Sequence, residues 1–195
     1  MDIYSRKIVG WQVHDCESSA HAADLIEDIA RREKIDKNQL VIHSDNGSPM
    51  KGATLRAKMI DLEISPSYSR PRVSNDNPYS ESLFKTVKYH YTFPENPFTC
   101  LKKARAWVEK FVHWYNDEHQ HSAIKFVTPN QRHNGLDRDI LENRKKVIEQ
   151  ARKNHPERWN GRKTRNLTPV GAVYLNPGKD ENNATENKSQ LKNAA

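Results

Sequence analysis

Leu40-Val41-Ile42-His43-Ser44-Asp45-Asn46-Gly47, followed later by Asn77-Pro78-Tyr79-Ser80-Glu81-Ser82-Leu83-Phe84-Lys85-Thr86-Val87-Lys88, is the pair of stretches whose reading decides the fold. The first ends a short apolar run on a carboxylate, and Asn46-Gly47 is a strong turn signal. A strand therefore ends near Ser44, with Asp45 at its carboxyl end, where open α/β sheets present ligand-binding groups. In the second stretch, Asp76 or Asn77 can cap a helix and Pro78 suits its first position. Glu81, Lys85 and Lys88 then fall at i, i+4 and i+7, on one helical face. Between Asp45 and Glu81 lie 35 residues. Paired carboxylates suit a hard divalent cation such as Mg2+, and lysines beside them suit phosphate. The plainer alternative is an Asx-turn aspartate and a solvated helix glutamate paired with Lys85.

Working outward, Met1–Tyr4 and Ile8–Val13 predict a β-hairpin around Ser5-Arg6-Lys7. Ser18 or Ser19 would cap a helix to about Lys34, with Ala22, Leu25, Ile26, Ile29 and Ala30 as its apolar stripe. Leu40–Ser44 reads as a buried central strand, Ala53–Leu62 as a helix, and Ile64–Ser69 as an edge-like strand containing Pro66. In the second helix, Tyr79, Leu83, Phe84 and Val87 are expected to face the sheet. Another helix runs from Cys100 to about Asn116, Thr128-Pro129 opens a short turn or helix, and Asp137 can cap a helix to about Asn154.

The chain has 195 residues, 35% of them apolar, and a formal net charge of +7; its mean hydropathy is −0.97 and its pI about 9.4. One ordinary domain with an appendage fits that length, and the basic balance favours a nucleic acid or another acidic surface as partner. Cys16 and Cys100 form no CxxC, which excludes a disulfide framework or a zinc finger and fits a reducing compartment. His119-Gln120-His121 lacks a third nitrogen or thiolate ligand at useful spacing, so it does not read as a zinc site. No run of about 18 apolar residues suggests a membrane span, and Met1–Trp11 lacks the apolar core of a signal peptide. From Leu141 to Arg165 nine Lys/Arg face three Glu, so nearly all of the net charge is concentrated there. That stretch predicts a phosphate-contacting surface, with a merely solvated basic helix as the alternative.

Three strings stand in one order: VIHSDNGSPM at 41–50, SYSRPRVSNDNPYSESLFKTVKY at 67–89, and WYNDEHQHSAIKFVTPNQRH at 114–133. With them, the chain from Met1 to about Pro177 resembles the insertion-sequence transposases of the retroviral-integrase type. Those enzymes carry two aspartates and a glutamate on a ribonuclease-H-like fold, with 35 residues before the glutamate and a basic residue seven after it.

The resemblance implies an α/β fold, the ribonuclease-H-like integrase catalytic core with a mixed sheet flanked by helices, over residues 1–135. A basic helical extension would follow over 136–177, and a disordered tail over 178–195. It implies that Asp45 and Glu81 are catalytic and metal ligands, for two Mg2+ or Mn2+ ions in an intact site. Lys88 and Lys85 would touch DNA, with Arg70 and Arg72 in the loop before the helix. His121 would help frame the site, and, on the charge of their own stretch, Lys145, Lys146, Arg152 and Lys153 are expected to contact the DNA backbone. DNA, as element ends and target, would be the partner, with homo-oligomerisation or association with a full-length transposase, in a bacterial cytoplasm near the nucleoid.

The match to the family begins at its second strand. The first strand, with the first catalytic aspartate, is therefore expected upstream, and this chain alone is expected neither to cut nor to join DNA. Asp2 does not fill that vacancy, because only 42 residues separate it from Asp45, too few for the first strand, the hairpin and the helix. His119 and Gln120 stand where family members often carry arginine, and Leu167 where they often carry tryptophan. A non-catalytic DNA-binding remnant that interferes with the full enzyme is the alternative, and a ribonuclease-H-like nuclease the third reading.

Overall fold

The computed structural model describes residues 1–71, 73 and 76–175. Arg72 and the tail at 178–195, both singled out by the sequence, lie outside the described residues.

Helix α1 (Ser19–Arg32) starts where Ser18 stops being extended, and the Ser18 hydroxyl accepts from the Ala20 N–H. This leaves one fewer orphan amide at the helix start. Strand β1 (Val41–Ser44) follows, then a short helix α2 (Ser48–Lys51), α3 (Ala53–Asp61) and β2 (Ser65–Tyr68). The two strands pair in parallel, Val41 with Ser65 through Ser44 with Tyr68. The α2–α3 crossover is what a parallel pair requires. Ala23 and Ile26 of α1 pack on Leu55 and Met59 of α3 and on Ile64, and this cluster is the first core.

The edge position expected for Ile64–Ser69 is kept, but β1 is not the buried central strand predicted. Val41 is exposed, and among the described residues β1 has a single neighbour.

The predicted Met1–Val13 hairpin does not form a ladder. Asp2 and Lys7 share one backbone bond and Arg6 returns one to Asp2, which closes only a turn. The Asp2 carboxylate accepts from the N–H groups of Tyr4 and Ser5 and from the Ser5 hydroxyl within that turn, and His133 Nδ1 lies 3.5 Å from its Oδ2. Beyond it, side chains take the places of strand partners. Asn116 accepts from Ile8 N–H at 2.9 Å and donates to Ile8 C=O at 3.1 Å. Arg32 donates to the Val9 carbonyl and Arg105 to that of Val13. Buried backbone groups must find partners, and the Asn116 amide supplies them for Ile8, while two guanidiniums reach the carbonyls of Val9 and Val13 through solvent-exposed bonds. Gly10 lets this segment lie on α1, because a Cβ there would come within 2.5 Å of Ile29 Cγ1.

Helix α4 (Pro78–Lys88) is followed by α5 (Leu101–His113), which runs on as a π-helical turn, Trp114–Glu118. Leu83 and Val87 of α4 pack with Ile8, Phe111 and Tyr115, so α4 rests on α5 and the N-terminal segment rather than on the sheet. The expected cap also differs: Asn77 makes no side-chain cap bond, and Asp76 is engaged elsewhere. Helix α6 (Pro129–His133) opens with a capping box between Thr128 and Gln131. The 18-residue helix α7 (Asp137–Asn154) buries Leu141 against Ile124, Val127 and Leu167. Leu167 therefore fills a core position. Among the described residues no helix is long and apolar enough to cross a membrane, and both cysteines are free and exposed.

Candidate functional site

Parallel pairing puts the carboxyl ends of β1 and β2 side by side, and two turns leave from that edge. After β1, Asp45 bends into an Asx-turn, its Oδ1 accepting from the Gly47 N–H at 3.0 Å. Asn46 ties this turn to the end of β2, donating to the Ser69 carbonyl at 2.7 Å. Ser69 N–H in turn bonds Ser44 C=O at 3.0 Å. Asp45 is thereby held at the backbone while its side chain stays exposed.

After β2 the loop is locked by an ion pair. Arg70 donates through Nε at 2.9 Å and Nη2 at 2.6 Å to the two oxygens of Asp76, and its own N–H adds a third bond at 2.7 Å. Asp76 is only 2% exposed. The Arg70 guanidinium is the main reason its pKa falls to about 2, with the Arg70 N–H next. Such bidentate arginine–carboxylate pairs are strong and directional. Arg70, expected to touch DNA, is thus engaged with Asp76 in this structure. The lock ends at Asp76, two residues before α4 begins and five before Glu81.

Glu81 sits in the first turn of α4, where a negative charge meets the positive end of the helix dipole. That alone is a reason for an acid there. Its placement adds another: Asp45 and Glu81 line the same open cavity of about 580 Å³, with Asn46, Ser69, Arg70, Asn77 and Phe84. The two carboxylates named from the sequence are brought to one space from two elements. No group of three or more His, Cys, Asp or Glu able to hold a metal occurs among the described residues.

The lysines fall along the same helix but not in that cavity. Lys85 lines a neighbouring one, and the Lys88 ammonium lies 5.8 Å from the centroid of the Tyr89 ring. His121 opens a 3-10 turn, Ser122–Ile124, with its Nδ1 accepting from Ala123 N–H at 3.3 Å. Its ring ends a row that runs through His119 and Trp114 to His90 at the end of α4. Burial, then neighbouring His119 and Arg6, lower the pKa of His121; burial and then His90 lower that of His119. These rings favour the neutral form and pack as aromatics. Lys145, Lys146, Arg152 and Lys153 are all exposed on α7.

Phe84 was expected to face the sheet; it is 69% exposed and lines the carboxylate cavity. Its position three residues after Glu81 was the available signal, since i and i+3 share a helical face. Asn46 was read only as a turn residue. Its bond to Ser69 depends on a strand register that the sequence does not show.

Two family profiles, both described as Integrase core domain, match this chain, over residues 1–74 and 62–129. The chain is 24% identical over 132 residues to a protein of Mycobacterium tuberculosis (strain ATCC 25177 / H37Ra) named as a transposase for insertion sequence element IS986/IS6110; the match covers 66% of this chain and 48% of that protein. It is 25% identical over 130 residues to the transposase for insertion sequence element IS904 of Lactococcus lactis subsp. lactis (strain IL1403), covering 66% and 51%. The chain thus spans about half the length of these curated relatives. Among solved structures, the catalytic core domain of BIV integrase aligns at a TM-score of 0.47 and 17% identity, covering 66% of this chain and 78% of that one.

Proposed function

Because the chain belongs to the insertion-sequence transposases of the retroviral-integrase type, with their ribonuclease-H-like integrase core, we propose that it handles DNA for strand cutting and joining, with Asp45 and Glu81 as its carboxylate pair. The observation that carries this reading is the shared cavity, which joins the carboxyl end of β1 to the first turn of α4.

The family uses divalent metal ions, and the donor set here fits one hard cation with water completing its shell: two exposed carboxylates and no soft ligand. A bound cation supplies Lewis-acid stabilisation of charge on a phosphodiester and makes an oxygen nucleophile available near neutral pH. An arrangement of two Mg2+ or Mn2+ ions would call for a further carboxylate beyond this pair. Asn46 and the Gly47 N–H hold Asp45 in orientation, and the Arg70–Asp76 lock sets the start of the helix that carries Glu81. The chain then divides by task. Residues 1–135 carry the carboxylates, and 136–177 carry the basic face of Lys145, Lys146, Arg152 and Lys153 that meets DNA phosphates. Lys85 and Lys88 extend that contact along α4, DNA ends and target are the partners, and the active form is an oligomer.

The two-carboxylate count favours a second reading as well: a DNA-binding module with no chemistry of its own. Calorimetric titration of Mg2+ or Mn2+ into the chain and into the Asp45→Asn/Glu81→Gln double variant tests the first. Binding lost in the variant, with an unchanged circular dichroism spectrum, is expected; identical titrations would overturn the site. Cleavage of supercoiled DNA with metal, against binding alone, separates the enzyme from the module. DNA binding itself should weaken steeply with salt, by a log–log slope of about −0.9 per neutralised phosphate. Changing the four α7 cations to Ala should flatten that slope; a slope that the substitutions leave unchanged removes α7 from the interface.

A further inference from the structure

Past Lys88 the chain turns, and the turn carries exposed rings. Tyr89 closes α4, its N–H shared between the Lys85 and Val87 carbonyls, and is 72% exposed; Tyr91 is 86% exposed. The backbone beneath them is anchored. Phe93 N–H bonds the His90 carbonyl at 2.8 Å, and Trp107 Nε1 donates to the Thr92 carbonyl at 2.8 Å. The His90 ring is wedged edge-on against Trp114 and Phe111. The turn is pre-set while its two tyrosines stand in solvent, which lowers the ordering cost of a contact made through them.

Between this turn and α4 lies a cavity of about 530 Å³ whose wall includes Lys85, Thr86, Tyr89, Tyr91 and Trp114. The Lys88 ammonium stands close to the Tyr89 ring. Aromatic faces interleaved with cations match one ligand chemistry: a strand of nucleic acid, whose bases stack on rings while its phosphates pair with lysines. The local charge is complementary, since Lys85 and Lys88 stand in the last turn of α4 beside these rings. A fully paired duplex hides its base faces, so the rings fit unpaired bases.

We propose that the Tyr89–Tyr91 turn, with Lys85 and Lys88, is a stacking platform for unpaired bases of the DNA strand engaged at the carboxylate cavity. This deepens the proposed DNA-handling function and rests on it for the identity of the ligand. Tyr89 lies eight positions after Glu81 along α4, about 12 Å at 1.5 Å per residue. At 3.4 Å per nucleotide that is roughly three or four nucleotides. The bases taken up would therefore lie within three or four nucleotides of the phosphodiester at Asp45 and Glu81.

The test compares the full 195-residue chain on a blunt duplex and on the same duplex ending in a four-nucleotide single-stranded tail that carries 2-aminopurine. The tailed DNA should bind about tenfold tighter, with a change in 2-aminopurine fluorescence on binding. Tyr89→Leu/Tyr91→Leu should abolish the preference and leave blunt-duplex affinity unchanged, whereas Tyr89→Phe/Tyr91→Phe should retain it, because the ring face persists. Equal affinity for the two DNAs, or a preference that survives the leucine pair, overturns the platform. Self-association that the leucine pair abolishes without any change in tail preference also overturns it, in favour of a protein contact. Asp45→Asn should leave the tail preference intact. A failed metal titration with a preserved preference therefore counts against the carboxylate site alone, and the converse against the platform alone.

Discussion

Around Arg132 the polar atoms are spent, whereas around Asp45 and Glu81 they are left in reach of solvent. Arg132 is 1% exposed, and its three guanidinium nitrogens reach the Tyr4 carbonyl, the Asp137 carboxylate and the Val170 carbonyl. Its guanidinium carbon also sits 4.1 Å from the Tyr4 ring centroid. One side chain thus joins the N-terminal turn, α7 and the returning C-terminal segment. At the cavity, the Asp45 carboxylate has one hydrogen bond among the described residues, from the Gly47 N–H, and Glu81 stands exposed in its helical turn. Burial with full pairing marks an ion that builds the fold. Exposure on a backbone-fixed turn leaves a carboxylate open to a ligand.

The sharpest way to break this contrast is to remove Arg132. Arg132→Met leaves Asp137 buried without its cation, which costs about 3–5 kcal/mol, a large share of the ~5–15 kcal/mol that holds a typical domain. Asp45→Asn should move stability by less than about 0.5 kcal/mol. Urea melts of both variants check this; comparable losses would erase the distinction between the two regions.

A smaller effect is expected at Asn116, the amide that stands in for a strand neighbour of Ile8. Asn116→Ala strands a buried N–H and C=O and should cost about 1–3 kcal/mol. Hydrogen exchange at the Ile8 amide should speed up with the same substitution. Protection that is unchanged would mean that the segment holds itself without Asn116.

Acid probes the Asp76 lock. Its carboxyl titrates at about 2 in the folded chain because of Arg70, below the ordinary value of about 3.9. A depressed folded pKa contributes stability that is present above about pH 4 and lost as the pH falls toward 2. Arg70→Gln should shrink that increment, because the Arg70 N–H still donates to Asp76, and the loss of stability should show near neutral pH and fade as the pH falls toward 2. Melts between pH 2 and 5 that superimpose for the two proteins would show that the lock adds nothing.

How far this was legible in the sequence follows from the range of each interaction. Helices α1, α3, α4, α5 and α7 stand within a few residues of where the local pattern put them. The caps expected for α4 and α7 do not form: neither start has a side-chain cap bond, and Asp137 lies inside α7 paired with Arg132. The resemblance is what names Asp45 and Glu81 as ligands; their own neighbours, Asn46-Gly47 and Pro78, indicate a turn and a helix start. The hairpin failed because strand formation depends on a partner. Ile8–Val13 has strand composition, yet its hydrogen bonds go to Asn116, Arg32 and Arg105, residues up to about a hundred positions away. Asp76 was read as a cap for the same reason: nothing local announces that Arg70 folds back to claim it.

The smallest expected effect lies at Gly47, where the two rules of the comparison meet in one residue. Its backbone, at φ −56° and ψ 146°, is open to any amino acid, so alanine brings no strain and reduces the freedom of the unfolded chain, a gain of about 0.4–1 kcal/mol. A Cβ there would lie 3.1 Å from Asp45 Oδ1, tighter than ordinary contact, and the exposed carboxylate can yield by a few tenths of an ångström. Stability should therefore hold or rise slightly while divalent-ion affinity falls a few-fold, because a ligand set tolerates little displacement. A thermal melt paired with a Mn2+ titration of Gly47→Ala reads both quantities. Lower stability with unaltered metal affinity would invert the assignment, making the Asp45 turn a structural element and leaving Glu81 without its partner.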